Sequence, residues 1–229
     1  IVFFPRKYNK NAINLINQNN IPLVLVDREM PECQTNFVRC DDYQGGYIAG
    51  NHLLELGHRH FLYLPGPKYN LSQTRRYAGI MDALSEANVP ASNIREIDYH
   101  TVFGSSAEST SSYKPYEELF FPVNYTAVIG FNDLQSYSAM EILQKKGYRI
   151  PEDISLISFD HLRKTHTYLP PLTSIADNSE KSIADTAVSI LLDKIRNPSS
   201  EISSEVLPVS IFDDHTTGPI NETFAHSFE

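Results

Sequence analysis

The stretch that decides the fold class is GGYIAGNHLLELGHRHFLYL, residues 45–64. Gly45–Leu56 predicts a helix that ends at Gly57, where a left-handed helix cap is expected. The apolar residues expected on its inward side are Ile48, Leu53 and Leu56. Phe61–Leu64 is a short apolar run that predicts a buried strand. A helix followed closely by a buried strand is the unit from which parallel sheets are built.

The same alternation extends in both directions from this stretch. The predicted strands are Ile1–Phe4, Ile21–Val26, Phe61–Leu64, Ile94–Tyr99, Ala127–Phe131, Ile154–Phe159 and Val206–Phe212. The predicted helices are Ala12–Gln18, Gly45–Leu56, Gln73–Ala87, Tyr113–Phe120, Asp133–Lys146 and Glu180–Ile195. This order predicts an α/β fold in which helices cover both faces of parallel sheets. The strands fit either one sheet or two.

Composition narrows the possible functions. The chain has 229 residues, 41% of them hydrophobic, which is enough to bury a core. Nineteen Lys and Arg against twenty-eight Asp and Glu give a net charge of −9. Such a charge repels phosphate, so we do not expect these residues to grip nucleic acid or an anionic membrane. The chain opens on a strand-like run with no leader-like region before it, and we expect that an upstream part is missing.

The motifs of catalysis and of cofactor binding are absent from the sequence. There is no Gly-x-Ser-x-Gly nucleophile elbow, no Gly-x-Gly-x-x-Gly and no Walker loop, so we expect neither an enzyme nor a cofactor. Cys33 and Cys40 are expected to be free thiols, and no metal site is predicted. His58 is interpreted as a helix-end histidine that interacts with the helix dipole. The acidic pair Asp41-Asp42 is interpreted as a solvated turn.

Polar side chains follow several of the predicted strands. Asp27, Asn132-Asp133 and Asp160 come directly after three strands, and Asn70–Arg76 follows a fourth. Ligands bind outside the carboxyl ends of strands in parallel α/β sheets, so we expect these groups at one rim. Each alone is explained as well by a turn or a helix cap. Together they favour a cleft for a polyhydroxylated ligand, because carboxylates, amides and guanidinium groups bond hydroxyls.

Seven stretches resemble the LacI/GalR-type bacterial transcription regulators. The likeness runs from about Ile1 to Gly218 and is carried by the motifs in chain order. They are Asp41–Gly50, His52–Arg59, Leu64–Pro67, Arg76–Gly79, Phe131–Asp133, Ile150–Asp160 and Tyr168–Ile175. The resemblance implies a periplasmic-binding-protein type I fold: two Rossmann-like lobes with parallel sheets, joined by three crossovers, with a ligand cleft between them.

The resemblance also implies the boundaries of the two lobes. Residues 1–41 and 174–198 are expected to form an N-terminal lobe that is incomplete. Residues 42–173 and 199–218 are expected to form the C-terminal lobe, and residues 219–229 a tail.

The resemblance assigns ligand-binding roles to individual residues. Asp160 matches the family's ligand-binding aspartate, Arg76 the cleft arginine and Asn132 the cleft amide. Phe103 is expected at an aromatic wall of the cleft, and Asp27 and Ser72 are further candidates. Two positions depart from the family pattern, since His161 and Asp177 stand where the family commonly has aspartate and glutamine. The additional acid favours a neutral, hydroxyl-rich ligand over a phosphorylated one.

The implied function is that of a ligand-sensing domain in a cytoplasmic, homodimeric regulator. A small effector, most consistent with a sugar, closes the two lobes and shifts the affinity for operator DNA, which an upstream domain outside this chain binds. No membrane partner is expected. The alternative is an extracytoplasmic sugar-binding protein of a transport system with the same fold. An α/β enzyme is a third reading, and it would require a reactive constellation that the sequence does not contain.

Overall fold

The computed structural model describes residues 1–3, 10–67, 70–97 and 116–225. In this part of the chain the strands are β1 (Val2–Phe3), β2 (Val24–Val26), β3 (Asn36–Cys40), β4 (Phe61–Leu64), β5 (Ile94–Glu96), β6 (Ala127–Gly130), β7 (Ser155–Phe159), β8 (Thr173–Asp177), β9 (Ser204–Leu207) and β10 (Val209–Phe212). The α-helices are α1 (Lys10–Gln18), α2 (Asp42–Glu55), α3 (Leu71–Glu86), α4 (Asp133–Lys145), α5 (Ile183–Arg196) and α6 (Glu222–Ala225).

The chain divides into two compact units. The first unit comprises Ile1–Asp41 and Asp177–Val209, and the second comprises Asp42–Ala176 and Ser210–Glu229. The predicted boundaries differ from this division mainly at residues 199–209, which were assigned to the C-terminal lobe. These residues group with the first unit because β9 pairs in parallel with β3. The predicted tail groups with the second unit.

The first unit is a parallel sheet with the strand order β1-β2-β3-β9. Successive side chains of β2 point to opposite faces of the sheet, as the strand geometry requires. Leu25 packs with Ile13 of α1 on one face. Val24 and Val26 pack with Ala187 and Ile190 of α5 on the other face. A strand with apolar residues on both faces is therefore covered by a helix on each side.

The second unit is a six-stranded sheet with the order β10-β8-β7-β6-β4-β5. The pairs from β5 through β4, β6 and β7 to β8 are parallel. Every residue of β4, β6 and β7 is buried, so these three strands form the centre of the sheet. Side chains on one face of these strands pack against α4 in a hydrophobic core. This core includes Leu62, Val128 and Leu156 of the strands and Ala139 and Leu143 of α4.

Helices α2 and α3 approach each other closely because glycines lie at their contact. A Cβ atom on Gly46 would lie 2.0 Å from the carbonyl oxygen of Arg76. A Cβ atom on Gly79 would lie 2.1 Å from the carbonyl oxygen of Tyr43. Both distances are far inside van der Waals contact, so only glycine fits at these two positions. The close packing brings Arg76 of α3 beside Asp42 at the start of α2.

The sequence-based elements differ from the structure at several places, and the short helix α6 was not predicted. The strands β3 and β8 were not predicted, because both are short and mix polar with apolar residues. The predicted strand Val206–Phe212 is two strands, β9 and β10, which are separated by Pro208 and belong to different sheets. The predicted helix Tyr113–Phe120 is a short 3-10 helix over Tyr116–Phe120 in the described part.

Candidate functional site

The candidate site lies at the carboxyl ends of β4, β6 and β7 in the second unit. These strands are neighbours and run parallel, so the segments that follow them meet at one edge of the sheet. The segments are residues 65–67 after β4, residues 131–133 after β6 and residues 160–162 after β7. Helices α3 and α4 begin at the same edge.

Arg76 is the centre of the site. Its side chain is only 9% exposed, and each nitrogen of the guanidinium group has a partner. Nε donates to Oδ1 of Asp42 at 2.8 Å, and Nη1 donates to the carbonyl oxygen of Phe131 at 2.6 Å. Nη2 donates to Oδ1 of Asp160 over a longer distance of 3.4 Å. The planar guanidinium group suits such a set of partners because its donors have fixed directions.

Two aromatic rings flank the same guanidinium group. The Cζ atom of Arg76 lies 5.0 Å from the ring centre of Phe131 and 4.5 Å from that of Phe159. Both distances fall within the range of cation–π attraction. Arg76 is therefore held by rings and by hydrogen bonds, and its orientation is fixed before any ligand arrives.

The guanidinium group of Arg76 lies beside two carboxyl groups, those of Asp42 and Asp160. Asp42 is almost fully buried, and its Oδ2 atom has no hydrogen-bond partner among the described residues. The Asp160 side chain is 43% exposed. Desolvation by the surrounding protein atoms raises the pKa of Asp160, and the guanidinium of Arg76 opposes this rise. Arg76 is thus already balanced by carboxylates, which favours a neutral ligand over an anionic one.

A second network lies behind Asp160. Oδ2 of Asp133 accepts a hydrogen bond from the Leu162 amide at 2.6 Å, and its Oδ1 accepts one from Oγ of Ser174 at 2.9 Å. Oγ of Ser174 in turn accepts a bond from the His161 amide at 3.0 Å. These bonds fix the turn on which Asp160 lies.

The loop after β4 is held by two glutamines. Oε1 of Gln73 accepts bonds from the Tyr63 hydroxyl at 2.9 Å and from the Gly66 amide at 2.6 Å. Nε2 of Gln135 donates to the carbonyl oxygen of Pro65 at 3.0 Å. The loop thereby lies against the ring of Phe131, where a Cβ atom on Gly66 would be 2.5 Å from the ring.

The structure brings some of the predicted ligand-binding residues together. Arg76 and Asp160 are in direct contact. Asn132 lies at the same edge and caps α4, since its Oδ1 accepts a bond from the Gln135 amide at 3.1 Å. Ser72 is buried in the first turn of α3, and its amide donates to Oδ1 of Asn70, the cap of that helix.

Of the remaining two candidates, Asp27 is not part of this edge. Asp27 belongs to the first unit, follows β2 and has a left-handed φ of 56°. Its Oδ2 accepts a bond from Nη1 of Arg28 at 2.7 Å. Phe103 lies outside the described residues.

Four functional residues were missed or misread from the sequence. The interpretation of Asp41-Asp42 as a solvated turn is wrong for Asp42, which is buried beside Arg76. The small residues of α2 are the sequence signal that could have identified Asp42, since such a pattern indicates that another helix packs closely against α2. Phe131 and Phe159 were placed on strands and within the family motifs but given no role in the site. Asp133 was expected at the rim but was not chosen as a ligand-binding residue, because a helix cap explained it. The roles of Phe131, Phe159 and Asp133 depend on the packing, and no local sequence pattern shows them.

His58 also differs from its interpretation. Burial lowers its pKa to about 4, while the carbonyl of Gly218 acts in the opposite direction. The ring is therefore neutral near pH 7 and does not interact with the helix dipole as a cation. Its partners are the hydroxyls of Thr126 and Ser155 and the carbonyl of Gly218.

The described part of the chain shows no feature of a metal site or of a membrane-spanning helix. No group of three or more His, Cys, Asp and Glu residues there is arranged to hold a metal ion. None of its helices has both the length and the apolar character needed to cross a bilayer.

The sequence matches a known family model and several curated proteins. Residues 51–217 match the model described as a periplasmic binding protein-like domain. The HTH-type transcriptional repressor PurR of Mannheimia succiniciproducens is 30% identical over 191 residues, which are 82% of this chain and 55% of that protein. PurR of Escherichia coli is 34% identical over 194 residues, which are 82% of this chain and 54% of that protein. The chain thus spans about half the length of the curated relatives it matches.

Solved structures have the same fold. A LacI family transcriptional regulator from Enterococcus faecium with bound ribose has a TM-score of 0.76 at 26% identity, covering 93% of this chain and 77% of that chain. A periplasmic binding protein/LacI transcriptional regulator from Alkaliphilus metalliredigens complexed with D-xylulofuranose has a TM-score of 0.70 at 26% identity. That match covers 86% of this chain and 71% of that chain.

Proposed function

Because the chain belongs to the periplasmic binding protein-like domain family, we propose that it is the ligand-sensing domain of a LacI/GalR-type transcription regulator. The similar proteins named above are transcription regulators, and this supports the regulator over an extracytoplasmic transport protein. It also supports a protein that is not an enzyme. The whole protein would act in the cytoplasm, where its operator DNA is.

The observation that carries the proposal is the arrangement of Arg76 between Asp42 and Asp160 at the edge of a parallel sheet. Ligands of open α/β sheets bind outside the carboxyl ends of the strands. A carboxylate that still reaches solvent, beside a fixed guanidinium group and aromatic rings, suits a ligand with several hydroxyl groups.

We assign roles within this site by chemistry. Asp160 accepts hydrogen bonds from ligand hydroxyls, and Arg76 orients Asp160. The Oδ1 atom of Asn132 is used by the helix cap, so its Nδ2 amide is the group that donates to the ligand. Ser72, Phe103 and Asp27 remain further candidates for contacts to the same ligand.

A sugar is the ligand class that we propose. Two of the similar structures hold ribose and D-xylulofuranose, which are neutral polyols. The local excess of carboxylate over guanidinium disfavours an anionic effector.

The regulatory mechanism that we propose is coupling between two binding events. The effector binds the closed arrangement of the two lobes more tightly than the open one and so shifts the population. In a homodimer this shift changes the affinity of an upstream DNA-binding domain for its operator, and the coupling is reciprocal. The net charge of −9 fits a sensing domain that does not itself contact DNA.

The test is a thermal-shift screen of pentoses, hexoses, disaccharides and purines against the purified chain. A sugar at 100 times its Kd is expected to stabilise the protein by about 2.7 kcal/mol and to raise its Tm accordingly. Asp160→Asn should weaken the affinity for that sugar about tenfold, because a neutral amide replaces a charged acceptor. Asn also tolerates the left-handed φ at this position.

The matched control is Asp193→Asn, a change of the same kind on the exposed surface of α5. It should leave the sugar affinity unchanged. If no sugar raises the Tm and a purine does so instead, the proposed ligand class is wrong. Equal sugar affinity in Asp160→Asn and in the unchanged protein would refute the role of Asp160.

A further inference from the structure

The turn that carries Asp160 has a costly backbone. Asp160 has φ 98° and His161 has φ 48°, so two consecutive residues other than glycine lie in the left-handed region. Such a conformation is unfavourable for a residue other than glycine, and it persists only where the surroundings hold it in place. The turn therefore depends on contacts that offset this cost.

Three successive backbone amides of the turn have defined acceptors. The Asp160 amide donates to the carbonyl oxygen of Ile175 at 3.0 Å. The His161 amide donates to Oγ of Ser174 at 3.0 Å, and the Leu162 amide donates to Oδ2 of Asp133 at 2.6 Å. Two of these three acceptors are side chains, so the sequence at those positions decides whether the turn forms.

The two side-chain acceptors form one unit. Oγ of Ser174 donates its proton to Oδ1 of Asp133 at 2.9 Å. This bond orients the lone pairs of Ser174 toward the His161 amide. The Asp133 carboxylate thus holds Leu162 directly and His161 through one hydroxyl group.

Asp133 does not itself reach a ligand. It is 1% exposed, and Ser174 is completely buried. An ionised carboxylate only accepts hydrogen bonds, and the groups that face this one are donors. Burial raises the pKa of Asp133, and the bonds from Leu162 and Ser174 act against that rise. The carboxylate of Asp133 therefore bonds to the turn and to Ser174 and has little contact with solvent.

We propose that Asp133 is a positioning residue, which, with Ser174 as its relay, holds the turn at residues 160–162 so that the Asp160 carboxylate faces Arg76 and the effector. The ligand part of this inference rests on the proposed function. The part that concerns the turn does not, because it can be measured without any ligand.

One member of the network, Ser174, lies close to the point where the chain passes from one unit to the other. Ser174 lies in β8, and the chain passes from the second unit to the first at the end of this strand. The same side chain thus links the turn that carries Asp160 to the strand that connects the two units.

The test compares Ser174→Ala with Ser155→Ala in amide hydrogen exchange followed by NMR. Ser155 is a matched control, since it is a completely buried strand serine like Ser174, and its hydroxyl bonds to His58 and to the Gly218 carbonyl at the other end of β7 from the turn. In Ser174→Ala the exchange of the His161 amide should accelerate at least about tenfold, the equivalent of one lost hydrogen bond. In Ser155→Ala the exchange of the His161 amide should be unchanged.

A second pair of variants, at Asp133, distinguishes the loss of one specific hydrogen bond from a general loss of folding. Asp133→Asn keeps one acceptor, which the Leu162 amide can retain, so we expect a smaller acceleration at Leu162 than in Asp133→Ala. Unchanged exchange at His161 and Leu162 in Ser174→Ala and Asp133→Ala would overturn the proposal.

The ligand arm uses the sugar found by the thermal-shift screen. Ser174→Ala should weaken the binding of this sugar about tenfold, while Ser155→Ala leaves the affinity unchanged. Accelerated exchange with an unchanged sugar affinity would overturn the positioning role. If no sugar binds the unchanged protein, the proposed function fails, and the exchange data still decide whether Asp133 holds the turn.

Discussion

At the residue scale, Arg76 shows why the role of a single residue cannot be inferred from its type and its sequence position alone. A lone arginine in a helix is usually solvated or part of a surface pair of small energetic value. Here it is buried, its partner Asp42 is more deeply buried, and a second carboxylate, that of Asp160, completes the set. A buried pair has already lost its hydration, so the loss of one partner leaves a charge without compensation.

The substitution Asp42→Ala tests this energetic role. We expect it to lower the free energy of unfolding by about 3–5 kcal/mol, because Arg76 would remain buried without its closest carboxylate. The measurement is urea unfolding at pH 7. The control is Glu141→Ala, which removes the partner of Lys145 in an exposed pair. That change should cost less than about 0.5 kcal/mol. Equal effects of the two substitutions would show that Asp42 is not a structural partner of Arg76.

At the element scale, the pairing of α2 and α3 determines the geometry of the site. The two helices meet through Gly46 and Gly79, where the backbones are too close for any side chain. This contact sets the distance between Asp42 at the start of α2 and Arg76 on α3. The glycine-rich motifs that carry the family resemblance thus have a physical reason, which is close helix packing.

The substitution Gly79→Ala tests the helix contact. Its Cβ atom would overlap backbone atoms of Tyr43 and Tyr47, which cannot move aside as a flexible side chain can. Overpacking of this kind costs about 1–3 kcal/mol or more. We expect a loss in this range in urea unfolding, together with weaker binding of the sugar identified in the screen.

The control for this substitution is Ser85→Ala, at an exposed position of the same helix. Alanine favours the helix, so this change should leave the stability unchanged or slightly increase it. A Gly79→Ala protein as stable as the Ser85→Ala protein would contradict the close packing of α2 and α3.

At the scale of the whole molecule, contacts between distant parts of the sequence complete each unit. His58 is an example. Nε2 lies 3.0 Å from the carbonyl oxygen of Gly218, which only accepts, so this nitrogen carries the proton. Nδ1 then accepts from Oγ1 of Thr126 at 2.9 Å. The ring joins the end of α2 to the residue before β6, to the start of β7 and to the C-terminal segment, and its neutral form fits these partners.

This arrangement predicts a pH dependence of stability. The folded-state pKa of His58 is about 4, whereas an imidazole in the unfolded chain titrates near about 6.5. The unfolded state therefore takes up the proton first as the pH falls. The contribution of His58 to stability is complete above about pH 6.5 and is lost as the pH falls toward about 4, by on the order of 3 kcal/mol.

The measurement is urea unfolding at pH values from about 7.5 to about 4.5. This window spans most of the interval between the unfolded-state and folded-state pKa values of His58. His58→Asn should flatten the decline in stability over this window. His60→Asn, at a neighbouring exposed histidine, should leave the slope as it is. The slopes are compared, because His58→Asn also removes hydrogen bonds at every pH. A His58→Asn slope equal to that of the unchanged protein would show that the ring does not titrate as expected.

The sequence by itself determined the fold class and most of the elements. The period of the apolar residues is a local property, and the helix spanning 133–145 and the strand spanning 61–64 follow from it. The carboxyl ends of the strands were likewise predicted as the place of the site, because parallel strands share one direction. The sequence motifs indicated the family. The family model that matches residues 51–217 and the similarity to known regulators confirm this.

Only the tertiary structure decided which residues act together and in which state. Asp42 and Arg76 are 34 positions apart, and Arg76 and Asp160 are 84 apart. Their pairing depends on helix packing and strand order, which no local pattern encodes. Burial likewise gives His58 its low pKa and makes Asp133 an anchor, since the cost of desolvating a charge depends on every atom around it. The sequence specifies the elements through short-range periodicity, whereas long-range contacts assign the chemistry.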